Sequence, residues 1–99
     1  MIIVTGSVVA DTGRLDELLA LSLEHVRRSR TEPGCLAHAV HRDAENPTRL
    51  VFIEEWSDRA SLEAHFAVPA ARAFVKAARA LAAAPPTINV YDARPLRME

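Results

Sequence analysis

The sequence has few of the features that mark disulfide-bonded or membrane-spanning proteins. It contains one cysteine, Cys35, which excludes an internal disulfide and is compatible with a reducing compartment. This thiol follows a turn at the start of a strand-like run, so a buried thiol is favoured over a nucleophile. No apolar run approaches the ~20 residues of a membrane span, and the chain opens without a charged-then-apolar leader. We therefore expect a cytoplasmic protein without a membrane partner.

The chain also lacks an excess of either charge. Its formal net charge is -1, which argues against nucleic-acid binding because that function normally needs a basic face. The one basic cluster, Arg27-Arg28-Ser29-Arg30, ends a helical segment, where cations complement the helix dipole. Neither a glycine-rich phosphate loop nor a nucleophile elbow is present, so nucleotide binding and serine hydrolase chemistry are disfavoured. The 99 residues predict one domain, at a size where a partner often helps to bury surface.

The pattern of apolar residues predicts strand, helix, strand, strand, helix pair and strand. The segments are, in order, 2–10, 14–29, 35–42, 49–56, a short helix capped by Ser57 or Asp58, 70–84 and 87–93. Asp11-Thr12-Gly13 is expected to stop the first strand and cap the first helix, and 94–99 is a charged tail outside a core of about 2–92. This order predicts the α+β class: a four-stranded antiparallel sheet with helices on one face, the ferredoxin-like βαββαβ arrangement. The uncovered face carries Ile and Val, which predicts a homodimer.

The third strand carries two side chains of chemical interest, Glu54 and Trp56. Both share a face with Leu50 and Phe52, and we expect that face to lie against the helices. A carboxylate there must find a partner or have its pKa raised. Glu54 is favoured as a structural tie, but it could also hold a histidine in one tautomer or act as a base. Trp56 offers a flat wall and an N–H donor to an aromatic substrate, although a core tryptophan fits equally well.

Histidines supply the best candidates for a base. His65 shares one side of the short helix with Leu62 and Phe66, and an imidazole titrates near neutrality. The alternative is a histidine that bonds a backbone carbonyl and packs on the sheet. His38 shares a predicted face with Leu36 and Val40, but alternation leaves open which side that face looks at. The secondary candidates are His41, Arg42 and Tyr91. The four histidines show no metal-ligand spacing along the chain, so no metal is expected.

An ordered set of short motifs closely resembles the antibiotic biosynthesis monooxygenase (ABM) domain family, over about residues 2 to 92. The motifs are Glu32-Pro33-Gly34-Cys35-Leu36, Arg42-Asp43, Asn46-Pro47, Phe52-Ile53-Glu54-Glu55-Trp56, Ala64-His65, Pro69 and Phe74. The resemblance implies the dimeric α+β barrel, in which two ferredoxin-like subunits face each other. The family includes cofactor-independent monooxygenases of quinols or anthrone-like polyketides, members acting on phosphorylated or other small metabolites, and haem-degrading relatives.

The resemblance implies a cofactor-independent monooxygenase that oxidises a small aromatic, quinol or anthrone-like metabolite with dioxygen. Such chemistry needs a base, an apolar pocket and a donor that stabilises the substrate anion. The expected catalytic residues are His65 and Glu54, and the expected substrate-binding residues are Trp56, Phe52, His38, Leu62, Phe66 and Phe74. Family members often have a second histidine and an aromatic after the proline, where this chain has Ala70 and Ala71. A non-oxidative enzyme such as an isomerase and a non-catalytic ligand-binding domain therefore stay open as alternatives.

Overall fold

The computed structural model describes residues 1–99 and contains four strands and three helices, which confirms the predicted order. The elements are β1 (Ile2–Val9), α1 (Leu15–Ser29), β2 (Cys35–Arg42), β3 (Arg49–Trp56), α2 (Arg59–Ala67), α3 (Pro69–Leu81) and β4 (Thr87–Asp92). None of the helices has the length and apolar character that crossing a membrane requires.

The four strands form one antiparallel sheet in the order β2-β3-β1-β4, so the predicted α+β, ferredoxin-like architecture is confirmed. β1 lies in the centre, where Val4 is paired with Glu54 of β3 on one side and with Val90 of β4 on the other. β2 forms one edge, and its His38 is the direct cross-strand neighbour of Glu54. The register therefore places His38 and Glu54 on the same face of the sheet.

Two predicted helix ends differ from the structure. α3 ends at Leu81, before the predicted Ala84, because Ala82 leaves the helix to form a bridge with Ala10 at the end of β1. At the start of α1, which follows Ala10 in the chain, Asp11 does not cap the helix. Its Oδ1 accepts a hydrogen bond from the Thr12 backbone N–H, and the helix begins without a side-chain cap. For α2 the cap is Asp58, whose side chain accepts from the Ser61 N–H at 2.8 Å.

A β-bulge at the start of β2 corrects the predicted alternation of that strand. Cys35 is paired with Trp56, but Ala37 is paired with the adjacent Glu55, so one extra residue lies on β2. Cys35 consequently packs on the same side of the sheet as His38, whereas Leu36 is 59% exposed. The prediction that Leu36 and His38 share a face is therefore wrong.

The helices cover one face of the sheet, where α1 contacts β2 and α2 contacts β3. Leu50, Phe52, Glu54 and Trp56 are all buried there, so the predicted orientation of β3 is confirmed. The opposite face is uncovered, and the apolar side chains that it exposes include Ile53 and Tyr91.

The turn between α1 and β2 packs against the start of α2. Gly34 adopts a φ of 80°, a conformation that favours glycine, and its carbonyl accepts a hydrogen bond from the Ser57 N–H at 2.8 Å. A Cβ at this position would collide with the Ser61 hydroxyl. The close approach brings Glu32, two residues earlier in the same turn, next to α2.

Candidate functional site

Three histidines from three separate elements meet between the sheet and the helices: His25 of α1, His38 of β2 and His65 of α2. Their ring centroids are separated by 5.3 Å (His25 and His38), 5.4 Å (His25 and His65) and 5.6 Å (His38 and His65). One ring nitrogen from each lies within 4.8 Å of the other two, and all three side chains are buried. The positions along the chain did not indicate this group, which we call the histidine cluster.

The carboxylate of Glu54 lies beside the histidine cluster. Its Oε1 accepts a hydrogen bond from Trp56 Nε1 at 2.9 Å and lies 3.2 Å from His38 Nε2 and 4.0 Å from His65 Nε2. Burial by itself would raise the pKa of Glu54, but the neighbouring His38, the Trp56 N–H and His65 together hold this pKa below its ordinary value. The buried Glu54 is therefore an anion stabilised by its neighbours, not a neutral acid.

Glu32 holds His65 in place. Its Oε1 lies 2.9 Å from His65 Nδ1, and because a carboxylate accepts hydrogen bonds, Nδ1 is the donor. The other nitrogen of a neutral His65, Nε2, then keeps its lone pair on the side of Glu54. The sequence identified Glu32 only as a turn residue. It is Glu32, not Glu54 or a backbone carbonyl, that bonds His65 Nδ1.

His25 was missed by the sequence analysis, although its position carried a signal. It is buried on the same helical stripe as Leu18 and Ser22, which lie seven and three residues before it. Its ring stacks on Phe74 at a centroid distance of 4.1 Å, and its Nδ1 lies 3.0 Å from Arg28 Nη2, which can only donate. Burial, followed by the charges of His38, His65 and Arg28, lowers the pKa of His25 to about 3. This imidazole is therefore neutral and carries its proton on Nε2.

A cavity of about 140 Å³ opens beside Glu54 and His25, between α3 and the sheet. Most of its wall is apolar and includes Phe52 and Phe74, with Phe66 also contributing. Phe66 is 43% exposed, so it lies where the cavity meets solvent. An apolar pocket with a few convergent polar groups is the usual form of a small-molecule site.

The structure divides the predicted site residues into three groups. Those that line the cavity are Glu54, Phe52, Phe66 and Phe74. Those buried behind Glu54 are His38, His65 and Trp56, and the Trp56 ring is fully enclosed, as in a core tryptophan. Leu62 packs against Val4 and Trp56 and lines a different depression, between α2 and the start of β1. Of the secondary candidates, His41, Arg42 and Tyr91 are all exposed.

Comparison with known families agrees with this fold. The family model described as "Antibiotic biosynthesis monooxygenase" matches residues 1–77. The chain belongs to the antibiotic biosynthesis monooxygenase (ABM) family. Ala70 and Ala71, which follow Pro69 at the start of α3, are half-buried and buried and supply no polar side chain.

This ABM-family chain is similar to several known proteins. One is an antibiotic biosynthesis monooxygenase of known crystal structure, whose sequence is 35% identical to this one. The match covers 96% of this chain and 100% of the other, with a TM-score of 0.88. A Deinococcus radiodurans protein that is 24% identical has a TM-score of 0.93 over 100% of this chain and 98% of its own, which shows the fold alone. An uncharacterized protein of Synechocystis sp. is 33% identical over 90 residues, or 91% of this chain. The chain spans 61% of the length of that Synechocystis relative.

Proposed function

We propose that this ABM-family protein is a cofactor-independent monooxygenase that oxidises a small aromatic, quinol or anthrone-like metabolite with dioxygen. The observation that carries the proposal is a buried carboxylate, Glu54, at an apolar cavity, with the imidazole of His65 behind it. The family model and the 35% identical monooxygenase structure support the same reaction class.

The first step is removal of a proton from the substrate. Glu54 lines the cavity, so it is the group within reach of a bound hydroxyl or acidic C–H. His65 Nε2 lies 4.0 Å from Glu54 Oε1 and can take the proton from the carboxylate after a small movement. The resulting imidazolium would lie between two carboxylates, Glu54 and Glu32, which stabilise its charge. We assign Glu54 as the contacting base and His65 as the final proton acceptor.

The second step is reaction of the substrate anion with dioxygen. One oxygen atom forms a new C–O bond and the other leaves as water, so a quinol gives a hydroxyquinone and an anthrone gives an anthraquinone. All four electrons that reduce dioxygen come from the substrate, and no separate reductant is needed. The apolar wall excludes water from the anion, and His25 lines the cavity with a neutral ring that carries an N–H donor.

The size of the cavity favours a single aromatic ring. Its volume, about 140 Å³, is close to that of an apolar cavity of about 150 Å³ that accepts benzene. A second or third ring would have to extend past Phe66 into solvent. We therefore expect monocyclic quinols to bind more completely than tricyclic anthrones.

The reaction class can be tested by assay with and without dioxygen. We expect the protein to consume dioxygen and quinol in a one-to-one ratio in a metal-chelating buffer without added flavin, and to turn over neither a quinol nor an anthrone under argon. Spontaneous oxidation without protein is the control. Turnover that persists under argon would contradict an oxygenase and favour the isomerase alternative. Saturable binding without any turnover would favour the non-catalytic ligand-binding alternative.

We also propose that two copies associate through the uncovered face of the sheet. That face exposes Ile53 and Tyr91, and burial of apolar surface is the main favourable term in association. We also propose that the protein is cytoplasmic, and the uncovered sheet face is not an argument for this location.

The dimer is tested by sedimentation. We expect the wild-type chain to sediment as a dimer at micromolar concentration and Ile53→Lys to sediment as a monomer, because an ammonium in an apolar interface is costly. The matched control is Ala80→Lys on the exposed side of α3, which should stay dimeric. A wild-type monomer, or equal behaviour of the two lysine variants, would contradict the proposal.

A further inference from the structure

The proposed proton transfer uses one member of the histidine cluster and leaves two unexplained. His38 has a fully buried side chain: its Nε2 lies 3.2 Å from Glu54 Oε1 in a poorly aligned contact, and its Nδ1 has no hydrogen-bond partner. Buried polar groups are nearly always satisfied, so a buried ring nitrogen without a partner, in a group of three histidines, needs an explanation. The lone pairs of converging neutral imidazoles are the usual ligands of a transition metal.

We propose that His25, His38 and His65 bind one divalent transition-metal ion of the Zn²⁺ type, with the Glu54 carboxylate next to it. Three histidine ligands that leave a fourth position open are a known arrangement for Zn²⁺. Here the fourth position is adjacent to Glu54 and therefore to the cavity. A carboxylate, a water molecule or a ligand in the cavity could complete the tetrahedron.

The distances fit such a site after small side-chain movements. With Zn–N bonds of 2.0–2.1 Å, tetrahedral ligand atoms lie about 3.4 Å apart. The three nitrogens now lie within 4.8 Å of one another, so rotations of the rings would have to bring them closer by roughly 1.4 Å or less. Glu54 Oε1 already lies 3.2 Å and 4.0 Å from the Nε2 atoms of His38 and His65.

Two carboxylates near the histidine cluster favour a bound cation, and one arginine disfavours it. Glu32 bonds His65 Nδ1 as an outer carboxylate, which is the common arrangement around metal-bound histidines and leaves Nε2 free. Glu54 adds a second negative charge. Arg28 opposes the ion, because it is a cation and because its hydrogen bond to His25 Nδ1 places the proton on the other nitrogen. Ligation through His25 Nε2 therefore requires Arg28 to move away.

Metal binding and the proposed oxidation compete for the same atoms. An ion bound to His65 Nε2 removes the lone pair that would accept the substrate proton, and it also attracts Glu54. We expect the metal-loaded protein to be inactive as an oxygenase and the chelated protein to be active. The binding measurement itself does not depend on activity, so failure of either proposal leaves the other to stand.

The site can be tested by titrating chelator-treated protein with Zn²⁺ in a calorimeter and with Co²⁺ in a spectrophotometer. We expect one ion per chain and the intense visible absorption of four-coordinate Co²⁺. His25→Gln and His38→Gln should each weaken Zn²⁺ binding by at least about 100-fold, since a ligand matters more than an outer-shell partner worth 10–100-fold. The control, His41→Gln, alters an exposed histidine and should leave the affinity unchanged.

A fourth variant keeps the test decisive if a buried substitution unfolds the protein. Arg28→Gln removes the opposing cation at a half-buried position and should tighten Zn²⁺ binding several-fold. Weaker or unchanged binding in Arg28→Gln, six-coordinate Co²⁺ absorption, or an affinity that depends on His41 would overturn the proposed site. Absence of saturable binding to the wild-type chain would also overturn it.

Discussion

Replacing Glu54 with Gln is expected to reduce turnover of a quinol substrate by about 10²- to 10⁴-fold, which is the usual contribution of a positioned base. Gln keeps the shape of the side chain and can still accept the Trp56 N–H bond, but it cannot take a proton. The fold should therefore be retained while the rate is lost. Steady-state consumption of dissolved dioxygen measures the effect.

His65→Gln tests the second half of the same proton path. Because Glu54 and His65 act as a unit, the double variant should be little slower than either single variant. Glu24→Gln is the matched control, since Glu24 lies on the exposed side of α1 and should turn over at the wild-type rate. Turnover of Glu54→Gln within about threefold of wild type, well short of the contribution expected of a base, would show that the carboxylate only ties the core together.

Replacing Trp56 with Ala is expected to lower the free energy of unfolding by about 3–5 kcal/mol, which is a large part of the stability of a domain this size. The indole is fully buried against Val4 and Leu62, and its N–H is one of the donors that stabilise the Glu54 anion. Its removal leaves a cavity and a less stabilised buried charge. Urea denaturation at one fixed protein concentration measures the loss, because association would make stability concentration-dependent.

Trp56→Phe separates the two contributions. It keeps most of the apolar volume but removes the N–H, so we expect a loss of about 1–3 kcal/mol, the cost of an unmade bond to a buried group. Phe66→Ala, at a side chain that is 43% exposed, is the comparison and should cost less than Trp56→Ala. If Trp56→Ala cost no more than Phe66→Ala, the enclosed packing of the indole would not be what stabilises this end of the core.

Much of the fold could be predicted because its signals are local. Alternation over 49–56 identified which residues of β3 share a face, and the structure buries those residues. Helix ends were less predictable, because α3 stops where Ala82 pairs with Ala10, a residue far away in the chain. The β-bulge at Leu36 could not be predicted either, because the alternation pattern assumes that each residue of one strand pairs with one residue of the neighbouring strand.

The candidate site was only partly predictable. Short motifs pointed to Glu54 and His65, and the structure places them 4.0 Å apart at their nearest polar atoms. They did not point to His25, whose neighbours in the chain are ordinary helix residues, or to the partnership of Glu32 with His65 across 33 positions. Spacing along the chain also gave no sign of a three-histidine group.

The sequence by itself therefore determined the order of strands and helices, the buried face of β3 and the family, because these depend on local periodicity and on motifs in a fixed order. Only the tertiary structure decided which polar side chains meet. α1, β2 and α2 each bring one histidine to the same point, and the Gly34 turn brings Glu32 to His65. Such meetings depend on how elements pack on the sheet, and this packing is set by the whole core, not by any one segment.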